Sequence, residues 1–173
     1  MMKPKVFEEG VSHRQGIDLD LEWVQDLQLR THQGRTMPIA SIKSYTEGFP
    51  RQMLISEKEK EGPIGYLLYV ILGTNVKIID MAVEPYYQRR GIGTMMLLPL
   101  MAKGEGCSSI IRDTCLEGQL LFRSVGFQCI QILKGYFRSP MEDGYYFLKE
   151  KAPPLPPTKD KGPTTKGRKR PKK

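Results

Sequence analysis

Gln88-Arg89-Arg90-Gly91-Ile92-Gly93-Thr94 follows the apolar stretch 76–83 and the short turn Glu84-Pro85-Tyr86-Tyr87, and it opens into a second apolar stretch that runs to Lys103. This order predicts a strand, a glycine loop and a helix, which together make a binding device for a phosphorylated anion. The first N–H groups of a helix have no internal acceptor and lie at the positive end of its dipole, so pyrophosphate oxygens can take the place of the missing carbonyls. A Cβ at Gly91 or Gly93 would hold such a group away from the backbone, while Arg89 and Arg90 add positive charge. A turn that merely starts a helix is the plainer alternative. Met96 stands where a dinucleotide-binding fingerprint would have its third glycine, and the Gly-Lys-Ser/Thr ending of a P-loop is absent.

Upstream of the loop, residues 4–9 are predicted as a first strand, and Asp20 as the N-cap of a helix whose apolar face is Leu21, Val24 and Leu27 and which stops near Gly34. A short helix is predicted over 39–46. Strands over 51–57 and 64–72, separated by the charged turn 58–63, form an antiparallel hairpin, and another strand covers 76–83. Downstream come a helix over 93–103, which Pro99 is predicted to kink or shorten, a strand over 108–112, a helix over 117–125, and strands over 128–136 and 145–148. The expected fold is a mixed α/β domain spanning residues 1–150, its central sheet flanked by helices.

The formal charge of +8 is unevenly placed. Residues 151–173 hold nine Lys or Arg and one Asp, which leaves 18 basic and 18 acidic residues in 1–150. Rich in Pro, Lys and Arg, this tail has too few apolar groups to offset the entropy of ordering it and is expected to be a disordered basic tail. Cys107, Cys115 and Cys129 are odd in number and lack paired spacing, which fits a reduced, cytoplasmic setting without a metal site. The N-terminus has no apolar signal core, and the run near 95–102 is too short to span a bilayer, so no membrane role is expected.

With these elements in place, the chain resembles the GNAT superfamily of acetyl-CoA-dependent N-acetyltransferases, whose signature is Gln/Arg-x-x-Gly-x-Gly/Ala between the fourth strand and third helix. Gln88-Arg89-Arg90-Gly91-Ile92-Gly93 matches every fixed position. Within that superfamily the chain is most similar to RimI-type and related protein N-terminal acetyltransferases, through Met81-Ala82-Val83-Glu84-Pro85, Leu121-Phe122-Arg123-Ser124-Val125-Gly126-Phe127, and Lys134-Gly135-Tyr136-Phe137 followed by Glu142-Asp143. The resemblance implies a splayed strand pair, with the pantetheine arm of acetyl-CoA along Met81, Ala82 and Val83, and its pyrophosphate on Gln88, Arg89, Arg90, Gly91, Ile92, Gly93 and Thr94. The backbone N–H of Val83 would face the developing oxyanion. Tyr136 and Phe137 would wall a peptide groove opposite the loop 30–41.

The same resemblance exposes a departure. Family members place a glutamate base in the fifth strand, and an asparagine and an acidic tyrosine in the fourth helix, where this chain has Ile110, Cys115 and Phe122. Isoleucine cannot accept a proton and phenylalanine cannot donate one. Asp113 and Cys115 are the remaining candidates nearby, and no catalytic residue is assigned; Glu142 and Asp143 are read as turn residues. His13 and His32 have no metal-ligand partners at useful spacing and are read as surface or packing residues. Trp23 is expected to pack the first helix, and Met95, Met96 and Met101 to fill an apolar one.

An α-amine has a pKa of about 8 against about 10.4 for lysine, so deprotonating lysine near neutrality costs about 3 kcal/mol more. A site short of a strong base therefore favours α-amines. The expected function is acetyl transfer to the N-terminal α-amine of a protein, with a ribosomal protein as a candidate acceptor and the tail contacting RNA nonspecifically. A small-molecule amine acetyltransferase shares the whole cofactor argument, and a catalytically weak CoA-binding or RNA-associated adaptor is the nonenzymatic alternative.

Overall fold

The computed structural model describes residues 8–150. Among these residues seven strands form one sheet in the order β1-β2-β3-β4-β5-β7-β6. They are β1 (Val11–Gln15), β2 (Arg51–Lys58), β3 (Gly62–Leu72), β4 (Asn75–Val83), β5 (Gly106–Arg112), β6 (Gln128–Arg138) and β7 (Met141–Glu150). The α-helices among the described residues flank them: α1 (Leu21–Thr31), α2 (Ile39–Lys43), α3 (Ile92–Lys103) and α4 (Leu116–Ser124). Every strand pair is antiparallel except β4 with β5. Those two run parallel because α3 carries the chain back along the sheet between them.

Side chains leave the two sheet faces alternately and build two cores. On one face Leu67, Ile78, Met96, Leu97 and Phe147 pack with α3 and Phe122 of α4. On the other, Met53, Ile55, Tyr66 and Leu68 receive Leu21, Val24 and Leu27 of α1 and Ile42 of α2, with Trp23 packed at the edge. Burying a leucine such as Leu27 contributes about 2–5 kcal/mol by the usual cost of its truncation to alanine. Met96 fills the first core completely, while Met95 and Met101 are half-buried.

Several sequence expectations need correction. Among the described residues the first strand is β1: of the expected strand over 4–9, Glu8 and Glu9 belong to no strand, and residues 4–7 lie outside the described residues. Its sequence, Val-Ser-His-Arg-Gln, hides because an edge strand needs little apolar burial and holds its register by polar pairing, as in His13 Nδ1 with Ser56 Oγ at 2.9 Å and Arg14 with Glu57 at 2.8 Å. Asp20 does not cap α1 through its side chain. Its carboxylate accepts two bonds from Arg14, both 2.7 Å, and one from the Ile17 N–H at 2.9 Å, tying the helix entry to β1. α3 runs through Pro99 to Lys103; Pro99 is exposed, so water can satisfy the carbonyl it leaves unbonded. β7 begins four residues before the expected start, at the polar end of its hairpin with β6, where Arg138 pairs with Met141. The basic tail 151–173 lies outside the described residues.

Candidate active site

The site begins with one extra residue. Opposite β3, Leu68 pairs with Asp80 and Tyr69 with Ile78, leaving Ile79 as a bulge. A bulge re-aims the side chains beyond it. Val76 and Ile78 belong to the α3/α4 core, whereas Ile79, Asp80 and Ala82 turn to the α1/α2 side. Pairing of β4 to β5 stops at the same place, at Ile78 with Ser109, whose Oγ donates to the Ile78 carbonyl at 3.2 Å. Past that point the two strands diverge.

The opened edge of β4 offers backbone groups. The Glu84 N–H donates to the Ile64 carbonyl at 2.8 Å, so two residues back Ala82 also bonds toward β3, and Met81 and Val83 turn theirs to the divergent side. There the Val83 carbonyl accepts from Gln88 Nε2 at 3.0 Å.

At the end of β4 the loop turns into α3. Gly91, the N-cap, sits at φ +82°, a left-handed conformation that glycine adopts without penalty, and Arg89 is also left-handed at φ +64°. The first helical bond runs from the Met95 N–H to the Gly91 carbonyl at 3.0 Å. The amides of Ile92 and Gly93 precede it and lie at the positive end of the helix. A Cβ on Gly93 would come within 2.9 Å of Leu121 Cδ2 and 3.5 Å of Met81 Cε, so glycine brings the helix start against α4 and β4. Arg89 is exposed, but Arg90 turns back, 3.4 Å from Glu8 and with its guanidinium 4.6 Å from the Tyr86 ring centroid. Ile92 and Thr94 bury their side chains, leaving their backbone to face a ligand. An open strand edge leading to a helix N-terminus fits the amides and pyrophosphate of acetyl-CoA.

Beside the divergent strands lies a pocket of about 390 Å³. Ile110, Cys115 and Phe122 line it, so the positions at which the sequence resemblance leads to an expectation of polar groups present two apolar side chains and a thiol. Phe137 lines it too; Tyr136 stands beside Phe137, ring edge to face at 5.0 Å and 47% exposed. Asp113 is exposed, its N–H bonded to the Asp143 carbonyl at 3.1 Å. The Asp143 carboxylate accepts from Lys134 at 2.6 Å and from the Gly135 N–H at 2.9 Å, a turn role.

His32, expected to be a surface or packing residue, also lines this pocket, together with Asp80. It stands just past the end of α1, with Nε2 3.0 Å from Asp80 Oδ1 and 3.2 Å from the Tyr66 hydroxyl. Tyr66 donates to Asp80 Oδ2 at 2.6 Å and Gln28 Nε2 to the same oxygen at 2.8 Å. Gln28 Oε1 in turn accepts from the Met37 N–H at 2.9 Å, which fixes the loop after α1. Burial works against a charged His32, yet the hydrogen bond and charge of Asp80 outweigh it and its pKa is raised. Burial likewise opposes the Asp80 carboxylate, and bonds from His32, Tyr66 and Gln28 overcome it, lowering its pKa. The sequence signal was Asp80 itself, a lone carboxylate in the strand Ile-Ile-Asp-Met-Ala-Val.

Glu142, expected from the sequence to be a turn residue, is a bridge. It accepts from Arg35 at 3.0 Å and Arg112 at 2.6 Å, and the Arg112 guanidinium lies 3.8 Å from the Phe137 ring centroid. Burial favours its neutral form, but Arg112 and Arg35 outweigh that and hold its pKa below the usual carboxylate range.

Residues 50–129 match the family model described as an acetyltransferase (GNAT) domain. Over that stretch, which runs from β2 to the start of β6 and includes the glycine loop, the chain is similar to a GNAT acetyltransferase domain. That likeness indicates an acetyl-CoA-dependent N-acetyltransferase, with acetyl-CoA as the acetyl donor. Its fold is shared with NAA60 from Arabidopsis thaliana in complex with acetyl-CoA, at a TM-score of 0.71 and 16% identity over 81% of this chain and 98% of that one. The ribosomal-protein-S18-alanine N-acetyltransferase from Escherichia coli superposes at 0.70, with 17% identity over 81% and 93%. Mutant forms of the spermidine/spermine N-acetyltransferase SpeG from Vibrio cholerae superpose at 0.66, with 10% identity over 83% and 95%. No curated protein matches the sequence significantly. Among the described residues, no helix is long and apolar enough to cross a membrane.

Proposed function

We propose that this GNAT domain acetylates the α-amino group at the N-terminus of a protein, in the manner of the RimI-type enzymes. The observation that carries this reading is the charge of the pocket wall. Arg35 and Arg112 both line it, Glu142 is shared between them, and Asp80 is already engaged by His32. A polyamine would bring a second ammonium to a wall without a free carboxylate cluster. A chain end brings one amine, with the rest of the peptide lying between the loop after α1 and Phe137.

Acetyl-CoA supplies an activated acetyl group. Met81 and Val83 offer backbone partners to its pantetheine arm, the Val83 N–H stabilises the oxyanion, and the Ile92 and Gly93 amides hold the pyrophosphate with help from Arg89. Gln88 fixes the end of β4 through its bond to the Val83 carbonyl. Neither Arg90, in its bonded position, nor the buried side chains of Ala82 and Thr94 provide a direct contact. The basic segment 151–173 adds attraction for RNA without sequence selection, which suits a ribosomal acceptor.

Thiol release from acetyl-CoA is the test, with the full chain and three acceptor panels: peptides with free N-termini, N-blocked lysine peptides, and polyamines. Turnover confined to the first panel is expected. Turnover confined to polyamines would overturn the reading.

A further inference from the structure

Ile110 and Phe122 leave the acceptor pocket without the proton acceptor and donor that its chemistry calls for, so another group in the lining must take the proton from an acceptor that arrives as an ammonium. Glu117 reaches the pocket from an exposed position, where water competes for any proton it would hold. His32 and Asp80 are both half-buried, line the same pocket as Met81 of the open strand edge, and are bonded to each other at 3.0 Å.

We propose that His32, oriented by Asp80, is the proton acceptor for the amine. This rests on the reading of the domain as an amine acetyltransferase. With Nε2–H directed at Asp80 Oδ1, Nδ1 is left to take the proton; the Thr31 hydroxyl approaches it only at 3.5 Å and already donates to the Leu27 carbonyl at 2.6 Å. Asp80 from β4 and Tyr66 from β3 are both bonded to the imidazole, a hydrogen bond to the Thr31 backbone favours its charged form, and Arg35 from the loop after α1 disfavours protonation by its charge. Its place at the end of α1 further favours the imidazolium.

The step balances. One N–H bond of the ammonium breaks and its proton goes to His32, and the freed lone pair forms the C–N bond to the acetyl carbon. As the carbon–sulfur bond breaks, the sulfur leaves with the electron pair and takes the second proton lost by the nitrogen. His32 then returns its proton to solvent through the pocket. Asp80 is a positioning residue, because it acts through the imidazole.

His32→Gln tests this in the full chain, because glutamine can still donate to Asp80 but cannot take up a proton. With a free-N-terminus peptide, kcat is expected to fall by about 10²-fold or more. Acetyl-CoA affinity, peptide KM and the circular dichroism spectrum should stay as in the wild type. The acidic limb of the pH–kcat profile, set by His32 in the wild type, should disappear, and Asp80→Asn should move that limb to lower pH. Wild-type kcat in His32→Gln, or an unmoved limb, would overturn the proposal while leaving the acetyltransferase reading intact. A wild-type chain that binds acetyl-CoA but acetylates no amine would overturn both.

Discussion

Arg35 Nη2 lies 3.0 Å from Glu142 Oε1, joining the loop after α1 to β7 beside the pocket. The two residues come from opposite ends of the domain, and one carboxylate holds both Arg35 and Arg112 in place. Glu142→Gln keeps the shape but leaves two guanidiniums sharing a neutral amide. Peptide KM is expected to rise about tenfold, equivalent to about 1.4 kcal/mol, with acetyl-CoA affinity unchanged. Steady-state kinetics with calorimetry separates the two. Equal weakening of both ligands would contradict the assignment of Glu142 to the acceptor side.

The two loop glycines should fail differently. At Gly91, φ +82° makes any Cβ costly, so Gly91→Ala is expected to lose about 1–2 kcal/mol of stability. At Gly93 the obstacle is the end of the Leu121 side chain, which can move aside. Gly93→Ala should therefore melt near the wild type and still bind acetyl-CoA at least tenfold more weakly. Unchanged acetyl-CoA affinity in Gly93→Ala would remove this backbone from the cofactor site.

Tyr66 is fully buried and gives its hydroxyl proton to Asp80 at 2.6 Å. Tyr66→Phe removes that donor without opening a large cavity, and a loss of about 1–3 kcal/mol in chemical denaturation is expected. A loss near zero would mean that His32 and Gln28 satisfy Asp80 by themselves.

The His32–Asp80 pair should make stability depend on pH. His32 has a raised pKa in the folded chain, so its contribution is complete below its unfolded value of about 6.5 and disappears as pH rises through the folded value. Asp80 has a lowered pKa, so its contribution is present above about 3.9 and lost as pH falls through the folded value. The difference in Tm between wild type and His32→Gln should be greatest between those limits and shrink toward alkaline pH. A difference constant from pH 5 to about 9 would mean that the pair does not ionise as described.

Local signals carried much of this fold. The glycine loop is announced by its own residues, and β2 and β3 by segments rich in apolar and aromatic residues on either side of a charged turn, as in the successive Leu67 and Leu68, which a sheet covered on both faces buries on opposite sides. What stayed hidden depends on partners distant along the chain. Nothing near His32 points to Asp80, and nothing near Glu142 points to Arg35 or Arg112; these pairs exist only once the sheet has brought α1, β4 and β7 together. β1 escaped notice because its register rests on His13 with Ser56 and Arg14 with Glu57, contacts that leave no apolar pattern.

Ile79 acts as a switch of parity. Upstream of it, even-numbered positions of β4 serve the α3/α4 core; downstream, odd-numbered ones do. The single unmatched residue lets one strand contribute Ile78 to the first core and Asp80 to the opposite side, two positions later, without a break in the backbone. Shortening β4 by that residue would make Ile78 and Asp80 neighbours, which still face opposite sides, so Asp80 would keep its place opposite Leu68 while the irregularity at which pairing with β5 ends would be gone. The gap for the donor therefore depends on that one extra residue, whereas the partner for the imidazole does not, and a change in strand length would separate the two.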